Sequence, residues 1–312
     1  MKKTFVVSLA LSVVLGGSVP ASAQTTAASK PVKAAPLDPK NKPEDLLMVG
    51  RKIGCSLVDG KEAIYWWHGN VYSRVPGERD RLLFKVQGIS LRACKSFSDP
   101  KRGPGYRSVS REMLVYFDKD TGEVLRQWKN PWTGESVEVL PVANDPVNAR
   151  EASYAYDKEG KSITLGPFAF SGMEKDGVLL QGGGAARLFY DSPIAGDYQK
   201  YVGGTYHAME FGTEATPLDD IFDPTTTEVK DRVISWVRVS KWLPWMKMGG
   251  RSGVVVFHTG GLRVDDWNEV SLELRNEIKA NWPVFLTAPP LDDPRGTMTS
   301  WDQFKRWREG KK

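Results

Sequence analysis

Histidine and cysteine are scarce in this chain, which has three histidines and two cysteines in 312 residues. The cysteines form no Cys-x-x-Cys pair, which removes the usual thiol-exchange motif. Gly-x-Ser-x-Gly elbows, His-Glu-x-x-His helices and calcium loops are also missing, so serine-hydrolase, zincin and EF-hand chemistry find no support. The N-terminal apolar run, Phe5 to Leu15, is too short to span a bilayer, and no transmembrane anchor is expected. Charge of one sign does not accumulate either. The formal net charge is +5, and the one local basic cluster is Lys305, Arg306, Arg308, Lys311 and Lys312 at the C-terminus. Nucleic-acid binders concentrate Lys and Arg on one face or element, so this cluster reads as a solvated tail and no nucleic-acid partner is expected.

What is present begins with a leader. Lys2 and Lys3 precede the apolar run, and Ala21-Ser22-Ala23 offers small residues for cleavage, so residues 1–23 read as a secretory signal peptide. The mature chain is expected in the periplasm or secreted, after cleavage near Ala23. Residues 24–46, rich in Ala, Thr, Lys and Pro, cannot bury enough apolar surface to fold and read as a disordered linker. Residues 47–312 show no further linker and no internal repeat, and one β-rich domain can reach that size. Cys55 and Cys94 lie in an oxidising compartment, which predicts a disulfide. Two separate buried thiols are the alternative that spacing leaves open.

From Glu62 to Phe257 short β-type runs alternate with Gly, Pro, Asn and Asp. Strands are expected at Ala63–His68, Leu82–Ala93, Val109–Phe117, Ser136–Leu140, Ser162–Phe170, Val178–Tyr190, Tyr201–Phe211, Val233–Val239 and Val254–His258. The turn Asp118–Gly122 joins Val109–Phe117 to Glu123–Trp128 as a hairpin. Short turns between consecutive strands imply antiparallel pairing, and so many strands need closure or covering to hide their edges. The fold expected is mainly β, an antiparallel barrel-like or strongly curved sheet with one or two C-terminal helices. Asp266 can cap a helix over Trp267–Asn281, and Thr299 or Ser300 one over Trp301–Arg308.

Several motifs fail on context. Tyr154-x-x-x-Lys158 lacks an upstream glycine-rich strand-to-helix turn, Ser98-Asp-Pro-Lys101 falls in a turn, and Gly182-Gly183-Gly184 has no following Lys-Ser/Thr. His68, His207 and His258 would make a zinc or iron site only if they converged, which their spacing does not require, so no metal and no cofactor is expected. His207 and Glu210, three apart on a strand, point to opposite faces; Glu210 shares its face with Tyr206. His68 shares a face with Trp66, Asn70 and Tyr72, an aromatic and polar surface suited to a pocket. Arg232, Ile234, Trp236 and Arg238 form one face, and Arg111 falls beside Met113, Val115 and Phe117. A guanidinium among apolar groups needs an anion, supplied by a ligand or by Asp145, Glu112 or Glu210. Trp242–Met248 reads as a loop packed over one end of the barrel.

Ser110-Arg111-Glu112, Asp118-Lys-Asp-Thr-Gly-Glu123, Trp128-Lys-Asn-Pro-Trp-Thr-Gly-Glu135 and Val142-Ala-Asn-Asp-Pro-Val-Asn148 make a distinctive set. With Trp236-Val-Arg238, Trp242-Leu-Pro-Trp-Met-Lys-Met-Gly249 and Thr299-Ser-Trp301, they resemble a bacterial family catalogued as domain of unknown function 1838, from about Gly50 to Trp307. The resemblance implies a single domain and brings no reaction and no catalytic residues. Physically, Asn130-Pro131 and Thr133-Gly134 mark a turn presenting Trp132, and Asn144-Asp145-Pro146 marks a second polar turn; both suit ligand contacts, with Asx-bonded turns as the plainer reading.

These features together predict a pocket for a small hydrophobic or aromatic molecule, with cofactor-independent lyase, hydratase or isomerase chemistry. His68 or His207 would serve as base, Tyr206 or Glu210 as acid, and Arg111 and Arg238 would meet anionic charge. Trp66, Tyr72, Trp132, Asn144, Asp145 and Trp236 complete the expected contacts. A non-catalytic carrier and an envelope interaction module built on Trp242–Met248 are the alternatives.

Overall fold

The computed structural model describes residues 34–163, 172–192, 194, 198–202 and 204–310. The expected signal peptide lies outside the described residues, as does most of the strand expected at Ser162–Phe170. From Ala34 onward the chain forms one compact unit. It folds from a helix α1 (Pro43–Gly54) into a meander of three long strands, β1 (Ala63–Arg74), β2 (Arg81–Asp99) and β3 (Gly103–Phe117). Short strands follow. β4 (Gln127–Lys129) and β5 (Ser136–Glu138) pair with each other, while β6 (Val142–Asn144) and β7 (Ser153–Tyr154) both pair with β3. A second meander comprises β8 (Gly172–Lys175), β9 (Val178–Tyr190), β10 (Tyr206–Pro217), β11 (Val233–Ser240) and β12 (Val254–Val264). Two short helices, α2 (Gln199–Val202) and α3 (Leu218–Phe222), interrupt it, and α4 (Leu272–Asn281) and α5 (Ser300–Arg308) end the fold.

All pairings are antiparallel, and β12 lies against β1 in register from Ile64↔Val264 to Arg74↔Val254. That contact joins the two meanders into one ten-stranded sheet with the path β6-β3-β2-β1-β12-β11-β10-β9-β8. The mainly β, antiparallel architecture with C-terminal helices is the one the sequence predicts. Closure is not reached, because β6 and β8 end the path without pairing to each other, and the sheet is open rather than barrel-closed. Helix α5 packs on one face of the sheet and α4 on the other over the first meander.

Alternation along the central strands sorts the core into two layers. Leu114 and Tyr116 of β3 point to one face, called inner here, with Phe84 and Val86 of β2. There Phe84, Tyr116, Trp128 and Trp245 form an aromatic cluster, Phe84 lying 5.0 Å from Tyr116 and 5.7 Å from Trp245 between ring centroids. Trp301 and Phe304 of α5 pack into the same layer. The segment Trp242–Met248 is packed here too, its Trp242, Trp245, Met246 and Met248 all buried around a single helical turn at Pro244–Met246. Met113, Val115 and Phe117 point to the outer face, where Val270 and the α4 residues Leu274 and Ile278 cover them. The C-terminal helices start where the sequence marks them, with one adjustment. Asp266 caps only a single turn, Trp267–Glu269, and Ser271 caps α4 through the Leu274 amide. Thr299 caps α5 in a reciprocal capping box with Asp302.

Two expectations are corrected at the start of the chain. The linker expected to residue 46 is ordered from before its end: Leu37 is buried, its amide donates to the Phe222 carbonyl (2.8 Å), and α1 begins at Pro43. Helices are therefore not confined to the C-terminus. Burial of Val49 beside Ile221 and Val229 gives α1 an apolar seat that the Pro-rich composition before it conceals. The predicted hairpin after Phe117 is also shorter than expected. Its Asp118–Gly122 turn forms, but pairing extends only to Phe117↔Val124 before the chain leaves to make β4 and β5.

Cys55 and Cys94 form the expected disulfide, with Cα atoms 6.0 Å apart and both residues fully buried. It fastens the end of α1 to β2. A loop of this size stabilises the fold by about 4 kcal/mol on the chain-entropy model. Denatured, unreduced protein is expected to show no titratable thiol. The double variant Cys55→Ser/Cys94→Ser is expected to lose roughly 2–4 kcal/mol in urea unfolding.

Candidate functional site

Strand alternation divides the residues singled out in the sequence between two faces of one sheet. On the outer face, β1 presents Trp66, His68, Asn70 and Tyr72, and β12 presents His258 opposite Asn70 and Gly260 opposite His68. His68 and His258 are thus diagonal neighbours, a relation that puts side-chain origins about 7–8 Å apart. Above them runs a groove of about 800 Å³, walled by the sheet, by Thr121 and Gly122 of the hairpin turn, and by Glu273 of α4. A Cβ on Gly260 would meet nothing within 4 Å, so the groove reaches the strand backbone there.

The floor of the groove is held in place. The Trp66 indole N–H donates to Gln87 Oε1 (3.2 Å), and Ser271 Oγ donates to the same oxygen (2.6 Å), tying indole, strand and helix together. The His68 ring lies 5.4 Å from the Trp66 ring. Asn70 Nδ2 donates to the Tyr72 hydroxyl (3.2 Å). Phe117 adds a second apolar wall, and Lys85, Glu273 and Ser235 bring a cation, an anion and a hydroxyl to the rim. Neither His68 nor His258 is bonded to a carboxylate among the described residues. The third histidine does not join them. His207 stands on the same face of β10, three strands across and six residues along from the position level with His68, roughly 25 Å away, with its ring 5.6 Å from Phe189. No group of three potential metal ligands occurs among the described residues.

Tyr206, Glu210, Trp236 and Arg238 lie on the inner face. Arg238 donates to Glu210 Oε1 (2.9 Å) and to the Tyr206 hydroxyl, so the guanidinium meets its anion within the protein. Trp236 packs 5.7 Å from Phe257 and 6.5 Å from Trp67. The adjoining cavity, lined by Tyr116, Tyr206 and Arg238, is about 30 Å³, enough for a water molecule and too small for an aromatic ligand. Burial pushes the Tyr116 phenol above its ordinary range and leaves its hydroxyl without a partner. Burial likewise raises the Glu112 carboxyl, with Arg92 opposing that shift.

The remaining candidates have structural partners. Arg111 donates to Asp145 (2.7 Å) and to the Thr287 carbonyl (2.7 Å), the internal ion pair that the sequence offers as the alternative to a ligand. Asp145 also accepts from Arg295 (3.0 Å), which grips Asp293. Asn130 Oδ1 accepts from the Trp132 and Thr133 amides, an Asx-bonded turn, and the Trp132 indole donates to Glu78. Asn144 lies on β6 with its Oδ1 buried and unpartnered.

Lys85, Gln87, Ser235 and Glu273 line the groove without having been singled out in the sequence. Strand register brings Lys85, Gln87 and Ser235 together and the packing of α4 adds Glu273, and register between β1 and β12, almost two hundred residues apart, leaves no local signal.

The Arg295 guanidinium holds the Asp293 carboxyl down to about 2, against an ordinary value near 4. A carboxyl depressed in the folded state contributes stability that is present above its unfolded pKa and is lost as pH falls through the folded one. Asp293→Asn is therefore expected to be less stable than wild type at neutral pH. The difference should shrink as pH falls from about 4 to 2, which acid titration of urea midpoints would reveal.

The chain belongs to the family described as Protein of unknown function (DUF1838), whose model matches residues 60–308. No curated protein matches it. Among the described residues no helix is long and apolar enough to cross a membrane, and the buried disulfide fits an oxidising compartment.

Proposed function

We propose that this protein acts outside the cytoplasm and binds a small aromatic or hydrophobic molecule with a polar substituent in the outer-face groove. The observation that carries this reading is the placing of His68 beside the fixed Trp66 indole, with His258 farther along the same groove of about 800 Å³. That volume falls in the range of small-molecule sites, and a few polar groups on an apolar floor are their usual composition. The leading chemistry is a cofactor-independent lyase, hydratase or isomerase step. His68 or His258 would exchange a proton with the ligand, and Lys85 would meet anionic charge as it develops. Tyr206, Glu210 and Arg238 take no part in this scheme, because the sheet separates them from the groove.

A specific observation favours the carrier reading as the second. A catalytic histidine is ordinarily oriented by a third group, and among the described residues no carboxylate bonds to either histidine. Ligand-observed NMR with a panel of naphthoates and unsaturated aryl acids separates the two. Saturable binding by wild type, weakened in Trp66→Ala, is expected on either reading. Conversion of a panel member that drops by about 10²-fold or more in His68→Ala/His258→Ala, with binding retained, is the enzymatic outcome. Binding without conversion leaves a carrier, and no saturable binding by any compound removes the groove as the site.

A further inference from the structure

The second meander places charge on the opposite side from the usual one. A sheet with one covered face normally turns apolar side chains inward and charged ones to water. Here the inner face of β10–β12 carries Glu210, Glu214, Arg238 and Arg263, with Arg238–Glu210 paired at 2.9 Å. On the outer face no Asp, Glu, Lys or Arg occurs between His207 and Ala215 of β10, Val233 and Val239 of β11, or Val254 and Leu262 of β12. The chain as a whole is 26% charged. The same face exposes large apolar side chains: Val233 is 52% exposed, Phe211 41% and Leu262 36%, and Phe189 of β9 beside them is 75% exposed. Contiguous apolar surface depleted of charge marks the centre of a protein interface.

We infer that this outer face is the interface of a homodimer, in which two copies stack their sheets face to face. Four strands, β10 to β12 with the His68–Tyr72 part of β1, span roughly 19 Å at strand spacing, and about nine residues of each span roughly 30 Å. The projected area is near 600 Å², and side-chain relief raises it toward the ~800 Å² per partner of a stable interface. A surface that meets itself across a two-fold axis brings like charge against like, a conflict that the charge-free centre of this face avoids by leaving Arg187 of β9 and Lys85 of β2 at its rim. An anionic membrane is a poorer occupant, because the centre of the face offers it no Lys or Arg and the two on its rim, Arg187 and Lys85, stand on strands at opposite sides. Open twisted sheets also stack on one another about 10 Å apart, each interdigitating its side chains with the other's.

Sedimentation equilibrium of the full mature chain tests the assignment. Wild type is expected to be a dimer, and Phe211→Glu/Val237→Glu a folded monomer by near-ultraviolet dichroism, with association weakened about 100-fold or more by carboxylates buried without partners. A wild-type chain that stays monomeric to its solubility limit overturns the proposal. So does a dimer that survives the double substitution, which would place the contact elsewhere, such as the exposed edge strand β8. A second readout needs no variant. His68, His207 and His258 all lie exposed on this face and are the only histidines in the chain. Their modification by diethylpyrocarbonate is expected to be several-fold slower in concentrated than in dilute protein, and equal rates at both concentrations overturn the interface whatever the variant does. The interface would roof the groove over Ser235, His258 and Gly260, so aryl-acid binding is expected to weaken as the dimer forms. A chain that binds but stays monomeric overturns this proposal alone, and a dimer that binds no aryl acid at any dilution overturns the groove reading alone.

Discussion

The pairing of β1 with β12 is the constraint on which the rest of the structure depends. Each meander alone would leave a long apolar strand at an edge, and an unpaired edge is unstable and prone to misassociation. Joined along the register from Ile64↔Val264 to Arg74↔Val254, they become the interior of one sheet, and both faces acquire their layout from that register. It sets His68 beside His258, opens the groove over Gly260, and places Arg263 of β12 opposite Tyr65. A slip of one residue would exchange the faces of every side chain on the second meander.

Buried arginines then tie the layers together. Arg263 donates to the Lys52 and Cys55 carbonyls at the end of α1 (2.9 and 2.6 Å) and to Glu228 (2.9 Å). Arg51 of α1 donates to the Ser56 carbonyl and to Asp59. Helix-terminal carbonyls lack intrahelical donors, so a guanidinium fork there satisfies several acceptors at once. The ion pairs of the inner face belong to this scaffold, which is why arginines that look in the sequence like anion-binding groups are already neutralised within the fold. Removing one partner of such a pair leaves a charge buried alone, and that cost exceeds what the intact pair contributes.

Local chemistry made much of this fold legible in the sequence. β-Branched and aromatic runs mark the long strands, Asp118–Gly122 marks a turn, and Thr299 marks a helix start, because each depends on neighbours within a few residues. Alternation alone assigned Glu210 and His207 to opposite faces and grouped His68 with Trp66, Asn70 and Tyr72. Helix α1 was hidden because its stability comes from Ile221 and Val229, far along the chain, and not from its own composition. The open sheet was hidden for a similar reason: whether the last strand meets the first is decided by twist and by the helices that cover the faces, and neither leaves a periodic trace. The groove fell between these cases. His68 and Trp66 stood out, whereas Gln87, Ser235 and Glu273 look like ordinary surface residues until the strands are laid side by side.

The order in which these parts become available has a consequence for biogenesis. During synthesis from the N-terminus, α1 and β1 emerge first, while the donor that closes α1, Arg263, and the strand that flanks β1 arrive some two hundred residues later. The first meander must therefore wait with one strand uncovered until nearly the whole chain has emerged. Completion of the fold is a late, non-local event with a long exposed interval, and such topologies fold slowly and lean on chaperones. For this protein, the interval before β12 is complete is when the chain is most vulnerable, and truncation near its C-terminus would act as a failure of assembly at its N-terminus.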